Sequence, residues 1–270
     1  MVDMLRRSLA PVGDAAWEQI DSLAACILRG NLSGRRISDF TGPHGWELAA
    51  VNAGRLCFPG GKRRGDVEWG IRAVQPLVET RVPFALSLSE LDGALRGSKD
   101  PDLHAVEEAA AKAAVFEEKA VYAGFKEGGI EGIVPSSPHR PITITRKAGD
   151  YQGALERAVV AVEKQGIGGP FDLVLGTVPF ETLMAGDDRG YPLRKRVEDI
   201  IRGEIRWSPA LKGGVVLSRR GGDFEFTLGQ DFSIGYYGHD GDRVDLYITE
   251  SFTFRVLEPR AAVALTMKAG

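Results

Sequence analysis

Leu56-Cys57-Phe58-Pro59-Gly60-Gly61-Lys62-Arg63-Arg64-Gly65-Asp66-Val67-Glu68-Trp69 is a turn-rich piece inside a segment, Trp46 to Ser87, that has no helical periodicity. Glycine and proline at the centre with extended arms on either side predict a long, projecting β-ribbon. An isolated two-stranded ribbon is marginal in water: both edges expose unpaired backbone groups and neither face buries much. Something else must therefore cover this arm, and Leu56, Phe58, Val67 and Trp69 are the side chains that such a cover would bury.

On the N-terminal side of the arm, Trp17, Ile20, Leu23, Ala24, Ile27 and Leu28 share one helical face, with Gly30 as the stop. On the other side, Asp100-Pro101 reads as a cap and first helical residue, opening an Ala-, Glu- and Lys-rich helix to Lys126. Its buried stripe is Leu103, Val106, Ala110, Ala113, Phe116, Ala120 and Val121. The prolines at 135, 138 and 141 mark a connection to a second subdomain, with a helix over Tyr151–Gln165, a buried strand over Phe171–Gly176 and an amphipathic helix over Tyr191–Arg202. Strand composition returns at Val215–Leu217, Phe224–Leu228 and Val244–Leu257, where Val244, Leu246, Ile248, Phe252, Phe254 and Val256 lie on one face. The order of elements predicts an α+β protein.

The 270 residues, 43% hydrophobic and 26% charged, suffice for one large core or two modest ones. A formal charge of −3 offers no basic excess for phosphates, so no nucleic-acid partner is expected. No segment approaches a membrane span or a secretory leader, and two cysteines, Cys26 and Cys57, are too few for a disulfide framework. A cytoplasmic location fits.

Local chemistry is sparse. His44, His104, His139 and His239 are scattered, with no His-Glu-x-x-His helix, and no metal is expected. Pro59-Gly60-Gly61-Lys62 lacks the leading glycine and the hydroxyl residue of a phosphate loop, and no nucleophile elbow or dinucleotide fingerprint is present. No catalytic residue is assigned and no enzyme activity is expected. Glu107-Glu108 and Glu117-Glu118 read as solvated surface of their helix, whereas Asp187-Asp188, bracketed by Gly186 and Gly190, read as a loop.

Several blocks together resemble the family-one encapsulins, also known as linocin-type bacteriocins. They are Leu5-Arg6-Arg7-Ser8-Leu9-Ala10-Pro11, Gly34-Arg35-Arg36 with Asp39, Gly42-Pro43-His44-Gly45-Trp46-Glu47 and Glu90-Leu91-Asp92. Further along come Gly190-Tyr191-Pro192-Leu193, Arg220-Gly221-Gly222-Asp223-Phe224, Gly229-Gln230-Asp231-Phe232-Ser233-Ile234-Gly235-Tyr236 and Thr249-Glu250-Ser251-Phe252-Thr253-Phe254.

The resemblance implies the HK-ninety-seven tailed-phage capsid fold. Residues 1–46 would hold the N-terminal helix and the start of a peripheral domain, 47–86 the extended loop, and 87–136 the rest of the peripheral domain with its spine helix. The axial domain would span 137–222, followed by a return to the peripheral domain over 223–257 and a C-terminal strand and tail over 258–270. It also implies a self-assembling icosahedral shell of about sixty or more copies, whose subunits cover one another's arms. The cargo would be a dye-decolorising peroxidase or a ferritin-like iron-storage protein, held on the inner wall by a C-terminal targeting peptide. Arg35 and Asp39 are expected as polar edges and Ile234 as apolar floor of the peptide groove, and Asp187, Asp188 and Arg189 as the lining of a cation-permissive pore. Some encapsulins stack flavin on a Trp placed before the Glu-Leu-Asp motif. Ser89 stands there in this chain, so no cofactor is expected although Arg81 is retained. A phage major capsid protein and a secreted bacteriocin or protease are the competing readings.

Overall fold

The computed structural model describes residues 4–58, 67, 69–188 and 191–268. Its helices are α1 (Asp14–Asn31), α2 (Leu88–Leu95), α3 (His104–Tyr122), α4 (Ile133–Ser136), α5 (Gly149–Glu163), α6 (Thr177–Ala185) and α7 (Leu193–Ile201). The strands of the first half are β1 (Asp39–Thr41), β2 (Ala50–Cys57), β3 (Ile71–Pro76), β4 (Val78–Ser87), β5 (Ile142–Ile144) and β6 (Phe171–Leu175). Those of the second half are β7 (Asp187–Asp188), β8 (Tyr191–Pro192), β9 (Arg202–Trp207), β10 (Gly214–Ser218), β11 (Phe224–Leu228), β12 (Ser233–Asp240), β13 (Arg243–Val256) and β14 (Ala262–Met267).

The arm is a two-stranded sheet, β2 against β3, registered from Ala50↔Pro76 to Cys57↔Ile71 with an irregularity between Asn52 and Leu56. It is shorter than the sequence suggests. Beyond Leu77 the returning chain leaves the ribbon and β4 pairs with β13 from Val78↔Phe252 to Ser87↔Arg243. Alternation explains the split: Val78, Val82, Phe84 and Leu86 all turn into the protein interior, while β3 leaves Ile71 and Val74 more than half exposed.

β13 is the axis of the first five-stranded sheet. β4 occupies one edge, and β11 and β12 pair in turn with successive parts of the other, separated by the four-residue link 229–232. β1 adds parallel to β11. The second sheet has the order β5-β14-β10-β6-β9, with α5 and α7 packed beside it. Helix α7 starts two residues later than predicted because Tyr191 and Pro192 pair with Asp187 and Asp188 as the hairpin β7–β8. It ends at Ile201, and the left-handed φ of 56° at Arg202 turns the chain into β9.

Two hydrophobic cores result, and α3 and β13 run through both. In the first core, Val106–Ala114 of α3 meet α1, α2 and the Val244–Ile248 half of β13. In the second, Ala120–Tyr122 of α3 and Phe252 and Phe254 of β13 join the second sheet and α5–α7. Phe226 stacks on Phe252 at 5.4 Å and on Phe40 at 5.6 Å, which ties β1, β11 and β13 into the second core.

Between the cores lies a polar layer that corrects the surface reading of Glu117 and Glu118: both are fully buried. They fall in helical phase with Val106, Ala110, Ala113 and Val121, so the helix that buries those residues buries the two acids as well. Glu107, by contrast, is half-buried and Glu108 exposed, and they interact with His104 and Lys112. Glu118 Oε1 accepts the backbone N–H of Ser33 (2.8 Å) and Gly34 (2.7 Å), and Oε2 accepts the hydroxyls of Ser33 (2.5 Å) and Ser208 (2.6 Å). Burial raises the pKa of Glu118, and the Ser208 and Ser33 hydrogen bonds pull against that rise. The turn can come this close because residue 34 is glycine: a Cβ there would stand 3.0 Å from Val121 and 3.2 Å from Glu118 Oε1.

Replacing Glu118 with Ala strands several buried donors at once and should cost about 3 kcal/mol or more. Glu118→Gln, which keeps one acceptor oxygen, should lose less. Urea midpoints measure both, and an unchanged midpoint for Glu118→Ala would contradict the role given to this carboxylate.

Candidate functional site

The first helix and the late strand form a groove of about 310 Å³. Ala24 and Leu28 of α1 face Ile234 of β12 and Ile248 of β13, with Leu5 and Phe232 closing the walls. Ile234 itself is 4% exposed, so it forms a floor more than a rim. The polar edge is an ion pair between Arg7 and Asp21 at 2.7 Å, with the Arg7 guanidinium also 3.9 Å from the Trp17 ring centre. This arrangement suits an extended apolar peptide with a polar contact at one side.

The structure places Arg35 and Asp39 outside that groove. Arg35, on the Gly34–Arg36 turn, points into the layer between the cores. Its guanidinium meets Glu117 at 2.6 Å, Asp231 at 2.8 Å and Glu250 at 3.1 Å, and its side chain is only 15% exposed. Burial opposes the charge on Arg35, but Glu117 first, then Glu250 and Asp231, outweigh it and raise its pKa. Asp39 instead accepts the Gly222 N–H at 2.6 Å and lines a separate cleft with Arg36, Ser218 and Arg219. The motif that carried these two residues is structural at Arg35, and sequence spacing alone does not distinguish an inward arginine from a groove-lining one.

Sequence reasoning missed Arg7, Asp21 and Glu250. For Glu250 a signal was present, since it lies in phase with Leu246, Ile248, Phe252 and Phe254 and is as fully buried as they are. For the Arg7–Asp21 edge there was none, because a surface ion pair 14 residues apart leaves no periodic mark.

Asp187 is exposed at the entry to the β7–β8 hairpin, Asp188 is its next residue, and Arg189 lies outside the described residues. Leu56, Phe58, Val67 and Trp69 are 42–74% exposed along the arm, and Ile71 and Val74 extend the apolar row. Ser89 is exposed and hydrogen bonds Ser87 at 2.9 Å, so no aromatic face is offered at that position, while Arg81 pairs with Glu79 and lies 5.1 Å from the Tyr247 ring. Among the described residues no cluster of three or more metal-type ligands occurs, and no helix is long and apolar enough to cross a membrane.

Residues 2–253 match a family described as an encapsulating protein for peroxidase. The type 1 encapsulin shell protein of Rhodospirillum rubrum is 40% identical over 97% of this chain and 95% of its own length. Those of Rhodococcus erythropolis and Mycobacterium tuberculosis are each 38% identical over 97% of this chain and 98% of theirs. Among solved structures, the virus-like particle of Pyrococcus furiosus superposes with a TM-score of 0.62 at 17% identity, covering 92% of this chain and 98% of its own. The structure of Mycobacterium phage Bobi gives 0.58 at 13% identity, covering 89% and 91%. The fold is therefore the HK-ninety-seven-like capsid fold, and the sequence matches separate the chain from the phage capsids that share it. With nearly its whole length inside the family match, this chain belongs to the encapsulin shell proteins and is a structural subunit, not an enzyme.

Proposed function

We propose that this chain closes into an icosahedral nanocompartment in the cytoplasm and retains a cargo enzyme through a C-terminal peptide seated between α1 and β12. The groove carries the reading: it is apolar along Ala24, Leu28, Ile234 and Ile248, bears one ion pair at its edge, and is built by elements from opposite ends of the chain. The description of the matching family as an encapsulating protein for peroxidase favours a peroxidase as cargo, with a ferritin-like iron-storage protein as the alternative load.

The arm supports assembly on physical grounds. Its exposed row, Leu56, Phe58, Val67, Trp69, Ile71 and Val74, gains burial when a neighbouring copy covers it, and its β2 and β3 edges gain backbone partners in the same step. One contact repeated around symmetry axes closes a shell, about sixty copies being the simplest solution. In this reading β2–β3 is the extended loop. The first core with α1, α3 and β13 is the peripheral domain, and the second sheet with α5 and α7 is the axial domain, whose β7–β8 tip lines a pore.

Two outcomes follow. Ile234→Asp puts a charge on the groove floor and should weaken retention of a reporter carrying the cargo tail by about tenfold or more; equal retention by parent and variant shells would remove the groove from this role. Asp187→Asn combined with Asp188→Asn should slow iron(II) entry into loaded shells because a ring of carboxylates concentrates cations, and an unchanged flux would argue against a pore at this hairpin.

A further inference from the structure

The inward phase of β13 runs Val244, Leu246, Ile248, Glu250, Phe252, Phe254, and every one of these side chains is buried. Glu250 is thus a carboxyl group between two hydrophobic cores. Its Oε2 accepts from Arg35 at 3.1 Å, while its buried Oε1 has no hydrogen-bond partner among the described residues.

The surroundings define the electrostatics. From α3, Glu117 Oε2 accepts at 2.6 Å from the same terminal nitrogen of Arg35 that reaches Glu250 Oε2 at 3.1 Å, and Glu118 is the next residue. From the 229–232 link comes Asp231, half exposed, and from the Gly34–Arg36 turn comes Arg35. From β4, Thr80 sits directly opposite Glu250 with its own Oγ1 unpartnered, while Glu79 and Arg81 on either side of it pair with each other on the exposed face. Arg35 is the cation that the three acids share, and Glu117 already takes both its Nε and one terminal nitrogen. Two fully buried carboxylates on one guanidinium cannot both ionise cheaply. Burial, and after it the charge of Glu117, push the Glu250 pKa well above the carboxylate range, with Arg35 pulling the other way.

We propose that Glu250 holds a proton and donates it from Oε1 to Glu117, making the junction between the two cores a proton-operated latch. The proton supplies a donor between the two carboxyl groups. The inference rests on the fold of one subunit and is independent of cargo and of shell closure. Its sign follows from linkage: a folded-state affinity for the proton above that of the unfolded chain gives stability that is present in full below the ordinary carboxyl range. That contribution declines as pH rises and is gone once the folded carboxyl ionises.

Infrared spectra of the full-length protein at neutral pH test this. Wild type should show the carbonyl stretch of a protonated carboxyl, titrating away in alkali, and Glu250→Gln should lack that band while keeping the hydrogen bond to Glu117 through its amide. The pH dependence of the urea midpoint should flatten by one proton in the variant. If Glu250→Gln does not fold, Glu117→Gln serves in its place, because Glu250 facing Arg35 and a neutral amide ionises and the band again disappears. Absence of the band in wild type, or its persistence in the variant, would overturn the proposal.

Discussion

Arg35 is the point on which the architecture turns. A helix and a strand that pass through two separate cores must cross the space between them, and in this chain both crossing points are acidic: Glu117-Glu118 on α3 and Glu250 on β13. A single guanidinium brought in on the Gly34–Arg36 turn contacts α3, β13 and the link between β11 and β12 together. A buried ion pair of this kind adds little net stability compared with apolar packing, but removing one partner costs about 3–5 kcal/mol. Its contacts link α3 to β13 at the level where the first core gives way to the second.

The relation of the two cores matters for the surfaces proposed above to bind cargo, line a pore and meet neighbours. The groove of α1 and β12 belongs to the first core, α6 and α7 on either side of the β7–β8 pair belong to the second, and the β2–β3 arm leaves the sheet beside Phe252, where the two meet. In a shell built by repeating one contact, a small rotation between the cores is multiplied around each symmetry axis. A polar layer with several partners at fixed distances resists such rotation better than an apolar seam, which can slide.

Much of this was legible in the residues. The amphipathic first helix, the Ala-rich α3 and the alternating β13 follow from periodicities that burial imposes, and the ribbon followed from a glycine- and proline-rich turn between extended arms. The length of the ribbon was not legible, since β3 and β4 have similar composition and only pairing with β13 separates them. The inward glutamates were misread because charge was weighed above phase, although Glu117 lies on the stripe of Ala110, Ala113 and Val121. Ile234 and the first helix do line one groove, and Arg35 lies outside it. Whether an arginine turns inward depends on which acids the tertiary fold delivers to it, and Asp231 and Glu250 lie about 200 residues away in sequence.

The central claim is that one copy of this chain is incomplete, because its apolar arm is covered only by its neighbours. Multi-angle light scattering of the purified wild-type protein at near-physiological ionic strength tests this directly. A uniform particle of about sixty subunits or more is the predicted result; a stable, compact monomer under those conditions would contradict it.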